Sequence, residues 1–291
     1  MKPILKWVGG KTQILNKVLK SFPKEMKNYH ELFLGGGSVL LSLLSSKDFT
    51  IKGKVYAYDK NEKLINMYRQ IQINPNEVYD HLDEIFGIYG SLTGTEIIRK
   101  PENEQEALTS KESYYYWVRT MYNRMTPATC RHAAMLIFLN KTCFRGLYRE
   151  GPIGFNVPYG HYKNTPSVIP LEELTKMQKL MKNVEFVVSD FRVSFENFIN
   201  KGDFVYADPP YAPENIRSFV GYTRDGFKIE DHSELFNLLK DSGIKFVMSN
   251  AKVELVTNSF RDYVIEDVPT RRAINSKNPA SCTTEVLVLY V

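Results

Sequence analysis

Short runs dense in β-branched and aromatic residues recur towards both ends of the chain, while the middle carries apolar positions at helical spacing. The strand-like runs are "YHELFL" (29–34), "VYAY" (55–58), "VEFVVS" (184–189), "DFVYA" (203–207), "KFVMS" (245–249), "YVIEDV" (263–268) and "EVLVLYV" (285–291). Several are continuous enough to be buried on both faces, as strands of parallel sheets are. Helical patterns follow Gly37 and Asn61 and span "LEELTKMQKLMK" (171–182) and "EDHSELFNLLKD" (230–241). Strand and helix in alternation predict an α/β fold built on a doubly wound parallel sheet. Residues 64–162 interrupt it with "NPNEVYDHLDEIFGIYG", "SYYYWVRTMYN" and "RHAAMLIFLN", three helical patterns ahead of a loop rich in glycine, proline and rings. The expected organisation is therefore a core domain, 1–63 with 163–291, carrying a mainly helical insertion, 64–162.

Composition narrows the class. With 291 residues, 43% hydrophobic and 24% charged, the chain can bury one large core without staples. Cys130, Cys143 and Cys282 form no C-x-x-C pair, so neither a disulfide framework nor a cysteine metal site is expected. The segment "MKPILKWVGGKTQIL" meets glycine and lysine too early for a secretory core, and no run approaches the roughly 20 apolar residues of a membrane span. A soluble, intracellular, cytoplasmic protein with no membrane partner and no metal is expected. The net charge of +5 is modest but uneven, because between Arg119 and Lys163 seven basic residues face Glu150 alone. Tyr122, Phe144, Tyr148, Phe155, Tyr159 and Tyr162 are interleaved there, and charge beside flat rings suits phosphates and unstacked bases.

Three stretches carry candidate chemistry. "GDFVYADPPYAP" (202–213) begins as a buried strand and ends in an acid, two prolines and an aromatic ring, at the strand end where open α/β sheets bind ligands. "FLGGGSVLLS" (33–42) follows a strand and opens a helix, so its glycines allow backbone to approach a ligand closely, or simply make a tight turn. Asp59 ends the next strand, where an acid can bind a ribose hydroxyl, or with Asn61 cap the helix beginning near Glu62. "VGGKTQ" (8–13) fails as a P-loop because Leu5 stands where the first glycine is required. An adenosine-type cofactor without a pyrophosphate fits the set.

With these motifs in place, the sequence resembles the Dam-like DNA adenine-N6 methyltransferases of the D12 class, alpha group. Their K-W-x-G-G-K segment appears as Lys6, Trp7, Gly9, Gly10 and Lys11, and their glycine motif as Glu31 to Ser38, with Leu32 in place of the usual proline. Asp208, Pro209, Pro210 and Tyr211 form an intact D-P-P-Y motif, and "FLNKTCFRGLYREGPIGFNVPYGHY" (138–162) is similar to the family's middle segment. The resemblance implies a Rossmann-like methyltransferase sheet with an inserted target-recognition domain. It also implies transfer of a methyl group from S-adenosylmethionine to the N6 of a flipped-out adenine in a short, palindromic duplex site such as GATC. Catalysis is then expected from Asp208, Pro209, Pro210 and Tyr211. Cofactor binding is expected from Trp7, Lys11, Phe33, Gly35, Gly36, Gly37, Ser38, Asp59, Asp190, Phe191 and Asp208. Lys6, Asn123, Lys141, Arg145, Tyr148, Arg149 and Asn156 are the expected DNA contacts. A cytosine-N4 methyltransferase, which more often has serine in the acid's place, and a non-catalytic DNA-binding protein on the same fold are the alternatives. A zinc deaminase is disfavoured because H-x-E with P-C-x-x-C is missing from the sequence. A prokaryotic or viral setting, restriction protection and replication marking all fit, and oligomeric state is open.

Overall fold

The computed structural model describes residues 1–213, 226–271 and 282–291. Two units are compact by themselves, one formed by 1–10, 35–37 and 61–182 and the other by 11–34, 38–60 and 183–291. The second, the sheet unit, holds seven strands: β1 (Tyr29–Glu31), β2 (Val55–Asp59), β3 (Val184–Val188), β4 (Phe204–Ala207), β5 (Lys245–Ala251), β6 (Val264–Arg271) and β7 (Cys282–Tyr290). Each of the seven apolar runs supplies one of them. Their order across the sheet is β6-β7-β5-β4-β1-β2-β3. β1 to β5 run parallel, which gives the α/β, Rossmann-like architecture expected from strand–helix alternation.

One feature departs from a purely parallel sheet. β7 inserts between β5 and β6 and runs antiparallel to both. Only the ten residues 272–281 separate Arg271 from Cys282, fewer than the dozen or so needed for a crossover between parallel strands. The consequence is positional: Glu285 on β7 lies opposite Ala251, at the carboxyl end of β5.

The order in which strands are added reverses between β1 and β4, all parallel, with β2 and β3 laid to one side of β1 and β4 and β5 to the other. Beyond β1, Leu32 N–H donates to Tyr206 O at 3.0 Å and Leu34 N–H to Tyr58 O at 2.8 Å, so the segment is held first on the β4 side and then on the β2 side. Carboxyl ends flanking such a reversal form the crevice where open α/β sheets take ligands. One face of the sheet carries Tyr56, Tyr58, Val205, Ala207, Phe246, Met248, Val286 and Val288 against the helices Phe191–Asn197, Ile229–Asp241 and Glu254–Ser259. On the same face, in register with Tyr56, His30 stacks on that ring and bridges Tyr58 Oη (2.9 Å) to Asp203 Oδ2 (3.1 Å). Burial lowers the His30 pKa despite the acid, and the pair satisfies polar groups that would otherwise be orphaned inside the core.

The other unit is mainly helical. Glu62–Ile73 begins at Asn61, whose side chain accepts from Leu64 N–H, and Pro75 opens Pro75–Ser91. Cys130–Thr142, capped by Thr129, is buried on nearly every side and packs against Glu62–Ile73, Pro75–Ser91 and Lys111–Arg124. Glu150–Gly151 and Gly154–Phe155 then form a short antiparallel hairpin. This core explains a feature the sequence suggests differently: Tyr122 and Phe155, among the rings interleaved with basic residues, are core side chains. A unit of this length needs a core of its own. Among the described residues no helix is long and apolar enough to cross a membrane.

Candidate active site

The acid of the D-P-P-Y segment leaves β4 at its carboxyl end and meets a lysine from the start of the chain. Lys11 Nζ lies 2.7 Å from Asp208 Oδ2, with the lysine 4% and the acid 17% exposed. The Lys11 backbone N–H in turn donates to Ser38 Oγ at 3.3 Å. Asp208 Oδ1 is buried and has no hydrogen-bond partner among the described residues. Burial pushes the Asp208 carboxyl up to about 6 although Lys11 pulls it down, and the Glu285 carboxylate adds to the rise. Asp208 is thus a largely ionised acceptor at neutral pH with one oxygen held and one available.

Pro209 is buried and Pro210 exposed, and they stiffen the link to Tyr211. Lys11 Nζ sits 4.9 Å from the centroid of the Tyr211 ring, a cation–π contact, and Tyr211 Oη donates to Glu285 Oε2 at 2.7 Å. Ala212 N–H donates to Asn250 Oδ1 at 3.0 Å, and the buried Asn250 Nδ2 has no partner among the described residues. Glu31, 2% exposed at the end of β1, accepts from Tyr29 Oη at 2.7 Å. Burial pushes its carboxyl up to about 8, with Asp208 contributing, so Glu31 is protonated at neutral pH and adds no charge beside Asp208.

Asp59 lies half-buried at the end of β2, with Ser189 N–H donating to its carbonyl at 3.1 Å. Phe33 and Phe191 approach at 6.1 Å, but Phe191 is buried and Arg192 lies over its ring at 4.4 Å. Asp190 caps its helix through Arg192 N–H and pairs with Lys60 (2.9 Å) and the Arg192 guanidinium (3.1 Å). Its carboxylate thus already has local partners.

In the helical unit, Trp7 packs on the glycine turn. A Cβ at Gly36 would fall 2.9 Å from Trp7 Cβ, and one at Gly37, where φ is +68°, would fall 2.7 Å from Tyr68 Oη. Glycine is therefore demanded by the turn's own packing as well as by any ligand. Trp7 stacks on Tyr148 at 4.8 Å, and Tyr148 Oη donates to Glu150, which pairs with Lys63 at 2.7 Å. The Lys6 peptide is gripped from both sides by Asn140, which accepts from its N–H and donates to its carbonyl at 2.9 Å each, while Lys6 Nζ lies 5.7 Å from the centre of the Tyr162 ring.

The expected DNA-contact residues divide. Arg145 is exposed, in a left-handed conformation with φ of 57°, and lies over Phe144. Arg149 is exposed and its Nε donates to Asn156 Oδ1 at 2.7 Å, joining two of the expected contacts across the hairpin. Lys141 is half-buried, and burial lowers its pKa. The amide of Asn123 is committed to Phe155, accepting from its N–H (2.8 Å) and donating to its carbonyl (3.0 Å), so it shapes the hairpin. Sequence reading missed Glu285, Asn250, Glu31 and Asn140. The available signal was a polar side chain at the edge of, or inside, an apolar run.

A carboxylate whose second, buried oxygen has no partner among the described residues, a stiff proline link and a tethered ring can hold an amine beside a planar ring system. Comparison with known proteins identifies the family of the chain. The profile of the D12 class N6 adenine-specific DNA methyltransferases matches residues 7–274. The type II methyltransferase M.MjaIII of Methanocaldococcus jannaschii is 35% identical over 291 residues, covering 95% of this chain and 94% of the relative. The type II methyltransferase M1.LlaDCHI of Lactococcus lactis subsp. cremoris is 29% identical, over 99% and 95% of the two chains. A DNA adenine methylase of Haemophilus influenzae is 28% identical, over 96% and 89%. The chain therefore belongs to the D12 class N6 adenine-specific DNA methyltransferases, enzymes that methylate adenine in DNA.

Proposed function

We propose that this methyltransferase uses S-adenosylmethionine and acts on an adenine turned out of a DNA duplex at a short site. The observation that carries the reading is the pairing of Lys11 with Asp208 Oδ2, beside which Asp208 Oδ1 is a buried acceptor with no partner among the described residues. An adenine amino nitrogen delocalises its lone pair into the ring and is a weak nucleophile. Asp208 and the Pro209 carbonyl would accept its two hydrogens and favour tetrahedral geometry at nitrogen, while Tyr211 would supply a face for the base. Stacking of this kind is worth about 1 to 3 kcal/mol per base. A base inside a duplex cannot reach such groups, which is the argument for flipping. When bound, S-adenosylmethionine supplies a methyl group on a positively charged sulfur. The acidic donor set fits that cation and its ribose, with Asp59 placed to take the hydroxyls. The new nitrogen–methyl bond would form as the methyl–sulfur bond breaks, S-adenosylhomocysteine would leave as a neutral thioether, and the methylated nitrogen would lose one proton to solvent.

The test is transfer of labelled methyl groups from S-adenosylmethionine to duplex DNA and to RNA, followed by mapping of modified adenines. Transfer to RNA alone, or to cytosine, defeats the reading. For the cofactor role, Asp59→Ala is expected to weaken S-adenosylmethionine binding while duplex affinity without cofactor stays near wild type, and calorimetry with each ligand separates the two.

Duplex DNA would be held by Lys6, Arg145 and Arg149, with Lys141 in support. Tyr148 is assigned to shaping the segment, since its ring is on Trp7 and its hydroxyl on Glu150. Backbone strain concentrates at functional positions, so the left-handed Arg145 is the stronger candidate for reading a base. Arginine can pair bidentately with guanine O6 and N7, whereas a phosphate contact carries no sequence information. One of Arg145→Ala and Arg149→Ala is expected to cost about 1 to 3 kcal/mol on the cognate site and relax preference at one base pair. Titrations on cognate and singly substituted duplexes across a salt series check this, and a uniform loss for both variants on every duplex counts against base reading.

A further inference from the structure

We propose that Glu285 is a positioning residue of the methyl-transfer site, holding the Tyr211 ring in the orientation on which the target adenine stacks. The proposal rests on the roles given above to Asp208 and Tyr211. Two prolines fix the backbone leading into Tyr211, but they leave the side-chain torsions free. The ring is instead tethered at both ends: Lys11 Nζ lies 4.9 Å from its centroid, and its hydroxyl donates to Glu285 Oε2 at 2.7 Å. Lys11 occupies one face, so a stacked base would use the other.

The acceptor is presented from a rigid element. Glu285 pairs with Ala251 of β5 as the first pair of one ladder and with Val268 of β6 inside the other. At the next residue of the loop, Ala212 N–H is held by Asn250 from the end of β5. Successive residues of the loop are thus anchored by two different strands, which is how a constellation is kept within the tolerance that positioning demands. A hydrogen bond to a carboxylate is also stronger and more directional than one to a neutral acceptor.

Glu285 has a second effect that a purely structural residue would lack. Asp208 feels the cation of Lys11, the carboxylate of Glu285, and the nearby Glu31, Tyr206 and Tyr211 groups. Of these, Glu285 favours the neutral acid, so removing its charge should let Asp208 stay ionised to lower pH.

The experiment uses the full chain and a duplex with 2-aminopurine at the target position, read by fluorescence without cofactor, alongside kcat, KM and pH profiles on the natural duplex. Glu285→Ala and Tyr211→Phe should each lower kcat/KM about tenfold to a hundredfold, the scale of one hydrogen bond to a charged group. Combined, they should be no worse than either alone, because both break the same contact. Glu285→Gln keeps an acceptor for the tyrosine hydroxyl, so it should retain the wild-type fluorescence response and stay soluble and folded. Its acidic limb should move to lower pH. Additive losses, or a Glu285→Gln profile with an unmoved limb, overturn the proposal. Wild-type kinetics in Glu285→Ala alongside a defective Asp208→Ala overturn it alone, whereas wild-type turnover in Asp208→Ala overturns the underlying reading.

Discussion

Asp208→Ala is expected to lower kcat at least about a hundredfold while leaving duplex binding nearly unchanged, the scale seen when one positioned polar group is removed from a transition state. The argument is geometric. Oδ2 is held by Lys11 at 2.7 Å, and Oδ1 is a buried acceptor with no partner among the described residues. An amine hydrogen placed on Oδ1 would gain a charge-assisted bond in a site of low polarity, and that bond strengthens as positive charge develops on nitrogen during transfer. Alanine removes the acceptor and also takes away the carboxylate on which the buried Lys11 ammonium is seated. Single-turnover rates at saturating cofactor and duplex check the effect, and a variant within threefold of wild type would remove Asp208 from the reaction.

Much of the sheet was legible because its strands are short, apolar on both faces and separated by helices of clear period. "DFVYA" and "KFVMS" announce buried strands before any partner is known. What the local pattern does not encode is which distant strands pair. The antiparallel entry of β7 between β5 and β6 agrees with the short link 272–281, but the choice of partners is displayed only by the assembled sheet. The same limit hid part of the site. Tyr211 and Glu285 are 74 positions apart, and Ala212 and Asn250 are 38 apart, so neither pair leaves a local motif. Glu285 reads as a solvated first residue of a strand, and Asn250 as the residue that ends one. The basic segment misled in the opposite direction. Tyr122 and Phe155 sit among arginines in sequence yet are buried, and Arg119 donates to the Val157 carbonyl at 3.1 Å. Local composition reports neighbours along the chain, whereas burial depends on helix packing.

Lys11→Met should shift the acidic limb of the rate profile upwards and so lower activity at neutral pH far more than at pH 9. In the wild-type site the Asp208 carboxyl stands at about 6, raised by burial and by Glu285 and held down by Lys11. The acceptor role requires the ionised acid, so wild-type activity should fall as pH drops through about 6. Methionine fills a similar volume without the cation, which removes the main influence favouring the carboxylate and carries the pKa further up. Each unit by which it then exceeds the assay pH lowers the active fraction about tenfold, so rate should return as pH rises past the new value. That recovery separates an electrostatic role from simple loss of packing, which would depress the whole profile by one factor. Lys11→Arg is a sharper comparison, because a planar guanidinium retains charge but cannot reproduce a compact ammonium seated both on Oδ2 and over the Tyr211 ring. It should keep the acidic limb near its wild-type position and lose rate at every pH. Profiles of kcat at saturating cofactor for the three proteins decide the matter: if the methionine variant loses activity equally at pH 6, 7 and 9, Lys11 does not govern the ionisation of Asp208.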